Sequence, residues 1–512
     1  MAKEILSNGI GALVHRRQLL LRATGVLGAT GLFGTLGRYT PPACADKPIA
    51  VAVPRNAGQS KAIAQFITGT KFSQLPSAVV TMTKRSLLDA TGVSMAAAGL
   101  EPACQPFIDL AVANAGGSAV ILGTGKRSSP ILTALANGAL AHALDYEDAH
   151  APSFTHPNAA TVAAALSVLP LVPHCSGQQF ITAIAVGCDL VCRLSLAQGN
   201  AGFPPTQFYP PAIVGTFGAL AAASHLLDLT QDQTISAMAL ALCSNSASAA
   251  ILFNPYSDVR AIRDGLCAQT GLQAAILAKQ GVKGFSTPLE GKGGFFDMYS
   301  QGRCWPGELT RGLGKVFAGE EVGFKAWPAC RATHIYIQAV LEGMNESPIA
   351  TEDIKEITFF VQQSDLIVCE PAAEKRKPEA AIDAKFSAYF VLASAIINGA
   401  VTLQSFAPTE LVRADILALA DRIHYKMAEP KSQPLRHLVS IELRDGSVKQ
   451  WGIDALYGSP QRPLSETDLI NKFMDCGSMA PAEYKQPQLT AVAEKILQLD
   501  KIKNVKTLTR LL

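Results

Sequence analysis

NGALAHALDYEDAHAPSFTHPNAATVAAAL, residues 137–166, decides how the rest of the chain reads. Just upstream, Ser129 and Pro130 form a helix start, because proline at the first helical position gives up no hydrogen bond and has its φ already set. Gly138, His142 and Asp145 then recur at i, i+4 and i+7, which puts a polar stripe on one face of a small-residue helix and predicts a pocket beside it. After the acidic turn Asp145-Tyr146-Glu147-Asp148 and a short loop, His156 stands directly before Pro157, where a second helix can begin. The positive end of that helix disfavours imidazolium, and a nearby carboxylate such as Asp145 opposes the effect. A neutral imidazole there can accept a proton, so His156 is the candidate general base and Asp145 the group expected to orient it. His142 on its Ala-rich helix reads as a hydrogen-bonded core residue, and Asp148 as a cap or solvated loop charge. His142, Asp145, Asp148, His150 and His156 fall within one short segment, but HExxH spacing is missing and no metal is assigned.

The chain has 512 residues, 48% of them hydrophobic, enough for about two to four domains of ordinary size. With 44 basic and 41 acidic residues the net charge is +3, which excludes the extended positive field of a nucleic-acid binder. HRRQLL (15–20) introduces an uncharged, Gly- and Thr-diluted apolar run (23–37) and reads as a twin-arginine export signal. PPACA (41–45) then offers an A-x-A site, so cleavage after Ala45 and a periplasmic location are expected. The run is short and glycine-rich against a bilayer span of about 20 apolar residues, so no stable membrane insertion follows. The 11 cysteines are scattered without a CxxC; Cys188 and Cys192, one turn apart, read as buried free thiols.

From 61 to 284 the pattern is helix after helix, and Gly215, Gly218 and the alanines at 219 and 221–223 read as tight helix contacts. LEGKGGF (289–295) is not GxxxxGK[ST] and follows a helix, so it reads as a turn or cleft wall. No GxGxxG stands in a strand–helix context, which argues against a nicotinamide or flavin enzyme. Beyond about 307 alternation appears at Ile357, Phe359 and Val361, and 439–443 with 448–452 predict a hairpin about Asp445-Gly446. Strands are expected only there. The fold class is therefore mostly α with a smaller α+β domain: signal at 1–45, helical domain at 56–306, α+β domain at 307–464 and C-terminal helices at 465–512. Two cationic clusters, Lys325 with Arg331 and His334, and Arg260 with Arg263, suggest an anion pocket.

NGALAHALDYEDAHAPSFTHP resembles the signature of the MmgE/PrpD family, which includes 2-methylcitrate dehydratases, cis-aconitate decarboxylases and iminodisuccinate epimerases. The likeness continues through LPSAVVTMTKRSLLDATGV (75–93), YPPAIVGTFGALAAA (209–223), RDGLCAQTGLQAAILAKQGVKG (263–284), LEGKGGFF (289–296), FKAWPACRATH (324–334) and AKFSAYFVLASAIINGAV (384–401). It implies a two-domain fold, a large all-helical domain and an α+β lid with the active site in the cleft between them. It also implies that the C-terminal helices return to the large domain and that two chains pair as a homodimer. Asp145, His156 and Lys325 match residues that relatives use, whereas Ala149 replaces a threonine, Tyr209 a histidine, Arg260 a lysine, and Phe390, beside Tyr389, a tyrosine. The resemblance together with the local charge thus gives as catalytic candidates Asp145, His156, Lys325 and Tyr209, the last as a candidate acid, and as substrate-binding candidates Ala149, Arg260, Arg263, Arg331, His334, Tyr389 and Phe390. Removing water or carbon dioxide from a polycarboxylate needs a base and cations for the developing charge. The implied function is a cofactor-independent lyase, of dehydratase or decarboxylase type, acting on a small di- or tricarboxylate such as 2-methylcitrate, citrate or aconitate. The alternatives are a dicarboxylate isomerase or epimerase and a catalytically silent polycarboxylate-binding protein, the latter motivated by the four replacements.

Overall fold

Proline placement sets where the helices of the site begin. Pro130, Pro157 and Pro210 each open a helix, Pro130–Ala143, Pro157–Val168 and Pro210–Leu226, while Ser176 caps Gly177–Gln198 by accepting from Gln179 N at 3.1 Å. These four pack with Ser77–Leu100 and Val259–Lys279 in one large core. The computed structural model describes residues 51–52, 54, 58–114, 116–199, 207–252, 257–300, 303–428 and 436–512. HRRQLL (15–20) and PPACA (41–45), on which the export signal and its cleavage are expected, lie outside the described residues.

All 12 residues of the Pro157 helix are buried, which is what a helix apolar on every side requires. Gly177–Gln198 is long and apolar enough to span a bilayer, yet 94% of its apolar window is buried within the fold. Gly138 and Gly265 let two backbones touch. A Cβ at Gly138 would lie 2.4 Å from Asp264 O, and one at Gly265 would lie 2.5 Å from Leu135 O. This crossing delivers Arg263 and Asp264 to the end of the helix that carries His142. Gly218 makes the tight contact expected of it, 2.4 Å from Val191 Cγ2 for an added Cβ. LEGKGGF is a turn ahead of the short helix Phe295–Ser300, and Cys188 and Cys192 are buried free thiols.

Two expectations need correction. Strands do not wait for residue 307: Ala119–Ile121 and Lys126–Ser128 pair antiparallel inside the helical region, with Ala119 opposite Ser128. Gly123 and Gly125, at φ 75° and 66°, make the reversal between strands too short to show alternation in sequence. Asn137 ties this hairpin to the Pro130 helix, accepting from Leu122 N and donating to Val120 O, both at 2.9 Å. The helix itself stops at Ala143, and Asp145 adopts φ 50°, so Asp145 is not on the polar face that the i+7 spacing predicted.

A second core surrounds a four-stranded sheet in the order 423–427, 354–361, 439–443, 448–451. Ile357 sits opposite Ile423 in the parallel pair and opposite Ile441 in the antiparallel one, and Gly446 at φ 86° turns the predicted hairpin. Ile354, Ile357, Phe359 and Val361 face the helices His334–Glu346 and Ala388–Asn398 from this sheet. The helices Glu466–Ser478 and Gln486–Leu497 belong to the large core instead: Phe473 packs where a Cβ at Gly92 would come within 3.0 Å.

Candidate active site

The end of the Pro130 helix, the turn 145–148 and the start of the Pro157 helix converge on Glu147, which the sequence reading left unassigned. Glu147 Oε1 is bonded to His142 Nδ1 and lies 3.0 Å from His156 Nδ1. His156 Nδ1 also stands 2.8 Å from the carbonyl oxygen of Asp148. Both neighbours of that nitrogen accept only, so Nδ1 carries the hydrogen and Nε2 keeps a free lone pair. The His156 side chain remains 18% exposed while that of His142 is 1% exposed, so of the two only His156 can meet a substrate. Burial pushes the His156 pKa well below the usual range, opposed by Glu147 and reinforced by Lys325, His142 and Arg263.

Asp145 does not orient His156. It accepts from Lys325 Nζ twice, at 2.8 Å on its carbonyl and 2.7 Å on Oδ1, in an ion pair whose side chains are 0% and 2% exposed. Asp145, at φ 50°, thus ties its turn to the segment that carries Lys325. Ala149 strengthens the same join through two backbone bonds with Gly323, at 2.9 and 2.8 Å. Lys472, from the C-terminal helix, closes it: Nζ donates to Tyr146 O at 2.7 Å and Lys325 O at 2.9 Å, and pairs with Asp89 at 2.7 Å. Asp148 is buried and held by Asn158 Nδ2 at 2.6 Å; burial raises its pKa to about 8, partly offset by the Asn158 hydrogen bonds.

Arg263 is buried over the Tyr209 ring at 5.1 Å, with Nη2 3.5 Å from His142 Nδ1 and Nε 3.4 Å from Asp264 Oδ2. Tyr209 caps the Pro210 helix with its backbone N–H bonded to Ala247 O at 2.7 Å. Arg260 lies 3.7 Å over the Phe386 ring. Arg331 carries a buried Nη1 without a partner, and burial lowers its pKa to about 10. His334 is fully buried against Trp327, with Nε2 3.1 Å from Ala329 O. Tyr389 and Phe390 are packed in the second core, against Phe359 and Phe406 respectively, and the structure does not bring them to the histidines. Lys385, absent from the sequence candidates, is buried, and burial lowers its pKa. Among the described residues, Arg260, Arg331 and Lys385 have no carboxylate in ion-pair contact, and that leaves positive charge available for an anion.

His142, Asp145, Glu147 and His156 bring ligand-capable atoms within 4.8 Å of one another. Lys325 on Asp145 and Arg263 beside His142 already supply positive charge there, so the donor set is compensated by side chains.

A helical domain that carries a buried histidine–carboxylate cluster, followed by an α+β domain, defines the class, and the chain belongs to the MmgE/PrpD family. Residues 61–307 match the MmgE/PrpD N-terminal domain and 327–496 the MmgE/PrpD C-terminal domain. Among curated proteins the chain is similar to the cis-aconitate decarboxylase of Mus musculus, 28% identical over 468 residues, covering 88% of this chain and 93% of the relative. It is also similar to the cis-aconitate decarboxylase of Homo sapiens, 26% identical with 81% and 86% covered, and to that of Aspergillus terreus, 22% identical with 89% and 96% covered.

Proposed function

We propose that the chain is a cofactor-independent lyase acting on a small tricarboxylate of the aconitate type, with decarboxylation the first reaction to assay. The observation that carries this is the bare Nε2 of His156, on a side chain 18% exposed, in a chain whose Arg260, Arg331 and Lys385 have no carboxylate in ion-pair contact among the described residues. His156 Nε2 takes a proton from the carbon next to a carboxylate and returns it to the carbon skeleton, and the one proton that loss of carbon dioxide consumes comes from solvent through Tyr209. Arg260, Arg331 and Lys385 hold carboxylates and stabilise the electron pair left on the carbon skeleton when carbon dioxide departs. Tyr209, under Arg263, is the candidate proton donor of the site. The similarity to three cis-aconitate decarboxylases supports decarboxylation over dehydration.

The test is incubation of the purified chain in deuterium oxide with cis-aconitate, citrate and 2-methylcitrate, with products read by mass spectrometry. Carbon dioxide loss with one deuterium gained on carbon is expected for cis-aconitate. His156→Gln should cut the rate by roughly 10² to 10⁴ while leaving the melting temperature close to wild type. No product and no label from any of the three acids refutes the proposal. Twin-arginine export and a twofold dimer belong to the same proposal, checked by sequencing the N-terminus of the exported chain and by light scattering.

A further inference from the structure

Glu147 Oε1 is hydrogen-bonded to His142 Nδ1 and stands 3.0 Å from His156 Nδ1, whose hydrogen bond goes to Asp148 O at 2.8 Å, and the two ring centres are 5.1 Å apart. Every other buried carboxylate around them has its own partner. Asp145 is paired with Lys325 at 2.7 Å, Asp89 with Lys472 at 2.7 Å and Asp264 with Arg263 at 3.4 Å, while Asp148 is held by the Asn158 amide. Glu147, fully buried, has no lysine or arginine in ion-pair contact among the described residues; histidines alone meet it. Its Oε2 has no hydrogen-bond partner. A buried carboxylate arranged this way is completed by a positive charge that arrives on an imidazole.

We propose that Glu147 is the positioning residue of the base: together with the Asp148 carbonyl it holds His156 as the Nδ1–H tautomer, and it becomes the counter-ion of the imidazolium formed when Nε2 takes the proton. The inference rests on the reading of His156 as base. His142 acts through Glu147. Its own Nε2 is buried without a partner, so its contribution is the Nδ1–H bond that holds the carboxylate in the rotamer that also reaches His156. The electrostatics close on this arrangement. Before proton transfer, Glu147 is one negative charge between two neutral rings; after it, carboxylate and imidazolium form a neutral pair, which the dry interior favours. The titratable and charged groups facing the unit are Asp145 and Asp148 from its own turn, Asp89 from the Ser77 helix, Arg260, Arg263 and Asp264 from the Val259 helix, Lys325 from the opposite segment and Lys385. Apart from Arg260, Lys385 and Asp148, each of them has an oppositely charged partner of its own in ion-pair contact, so Glu147 is the group whose charge changes partner during the reaction.

The test uses the full chain with ring-nitrogen-labelled histidine, followed by nitrogen NMR across pH with no substrate present. In the wild type, His156 should show a protonated Nδ1 and a bare Nε2. In Glu147→Gln its pKa should fall by about 1 to 3 units, the usual effect of losing an adjacent opposite charge. In the enzyme assay the acid limb of kcat/KM should move to lower pH by the same amount, with kcat down roughly 10- to 100-fold and KM within about twofold. Glu147→Asp keeps the charge and should restore the position of the acid limb. A His156 protonated on Nε2 in the wild type, or an unmoved pKa in Glu147→Gln, overturns the proposal. If Glu147→Gln does not fold, the wild-type tautomer and the Glu147→Asp profile decide. Because the titration needs no substrate, normal NMR behaviour with no turnover would refute the proposed function alone.

Discussion

Replacing Lys472 by methionine removes a buried ammonium that three parts of the chain share. Lys472 and Asp89 have side chains 5% and 0% exposed, so water does not take over for the lost partner. Breaking such a pair by deleting one member costs about 3–5 kcal/mol, most of it from the charge left behind. Two backbone carbonyls, Tyr146 O and Lys325 O, lose a donor in the same change. Burial already raises the Asp89 pKa, with Lys472 opposing; without Lys472 it rises further. The native variant then holds a proton that the unfolded chain releases above about pH 4, so its stability falls as pH rises from there to the folded pKa. Urea midpoints at pH 5 and pH 8 should therefore show a larger deficit at pH 8. Adding Asp89→Asn removes the stranded charge, and the double variant should regain at least half of the loss. A midpoint equal to wild type, or a double variant no more stable than Lys472→Met, would refute the reasoning.

Asp148, with a pKa of about 8, is protonated in the folded chain at pH 6 and charged only above pH 8. A raised carboxyl pKa contributes stability that is lost as pH climbs from the unfolded value, so the melting temperature of Asp148→Asn relative to wild type should rise between pH 5 and pH 8; a constant difference would sink the argument. Gly138→Ala puts a methyl group 2.4 Å from Asp264 O and 2.7 Å from Gly265 Cα, both backbone atoms that cannot swing aside. It should cost about 1–3 kcal/mol or more, read as a lower melting temperature, and an unchanged melt would mean that the crossing is looser than described.

What the sequence made legible is local. Proline before a small-residue run located the starts of the Pro130 and Pro157 helices, alternation at Ile357, Phe359 and Val361 located the central strand, and Asp445-Gly446 located the hairpin turn. The choice of partners among five nearby charges was not legible. Counting i+7 from Gly138 assumes that the helix continues, but it ends at Ala143, and the φ of 50° at Asp145 reverses the direction in which the next side chains point. That single reversal sends Asp145 to Lys325 and leaves Glu147, two residues on, to face both histidines. Lys472 and Asp89 carried no signal at all, because nothing in either local pattern marks a contact between the first long helix and a C-terminal one. Local rules place the backbone of a site; which acid meets which base depends on where the chain turns out of its helix, and here one aspartate in a left-handed conformation makes that assignment.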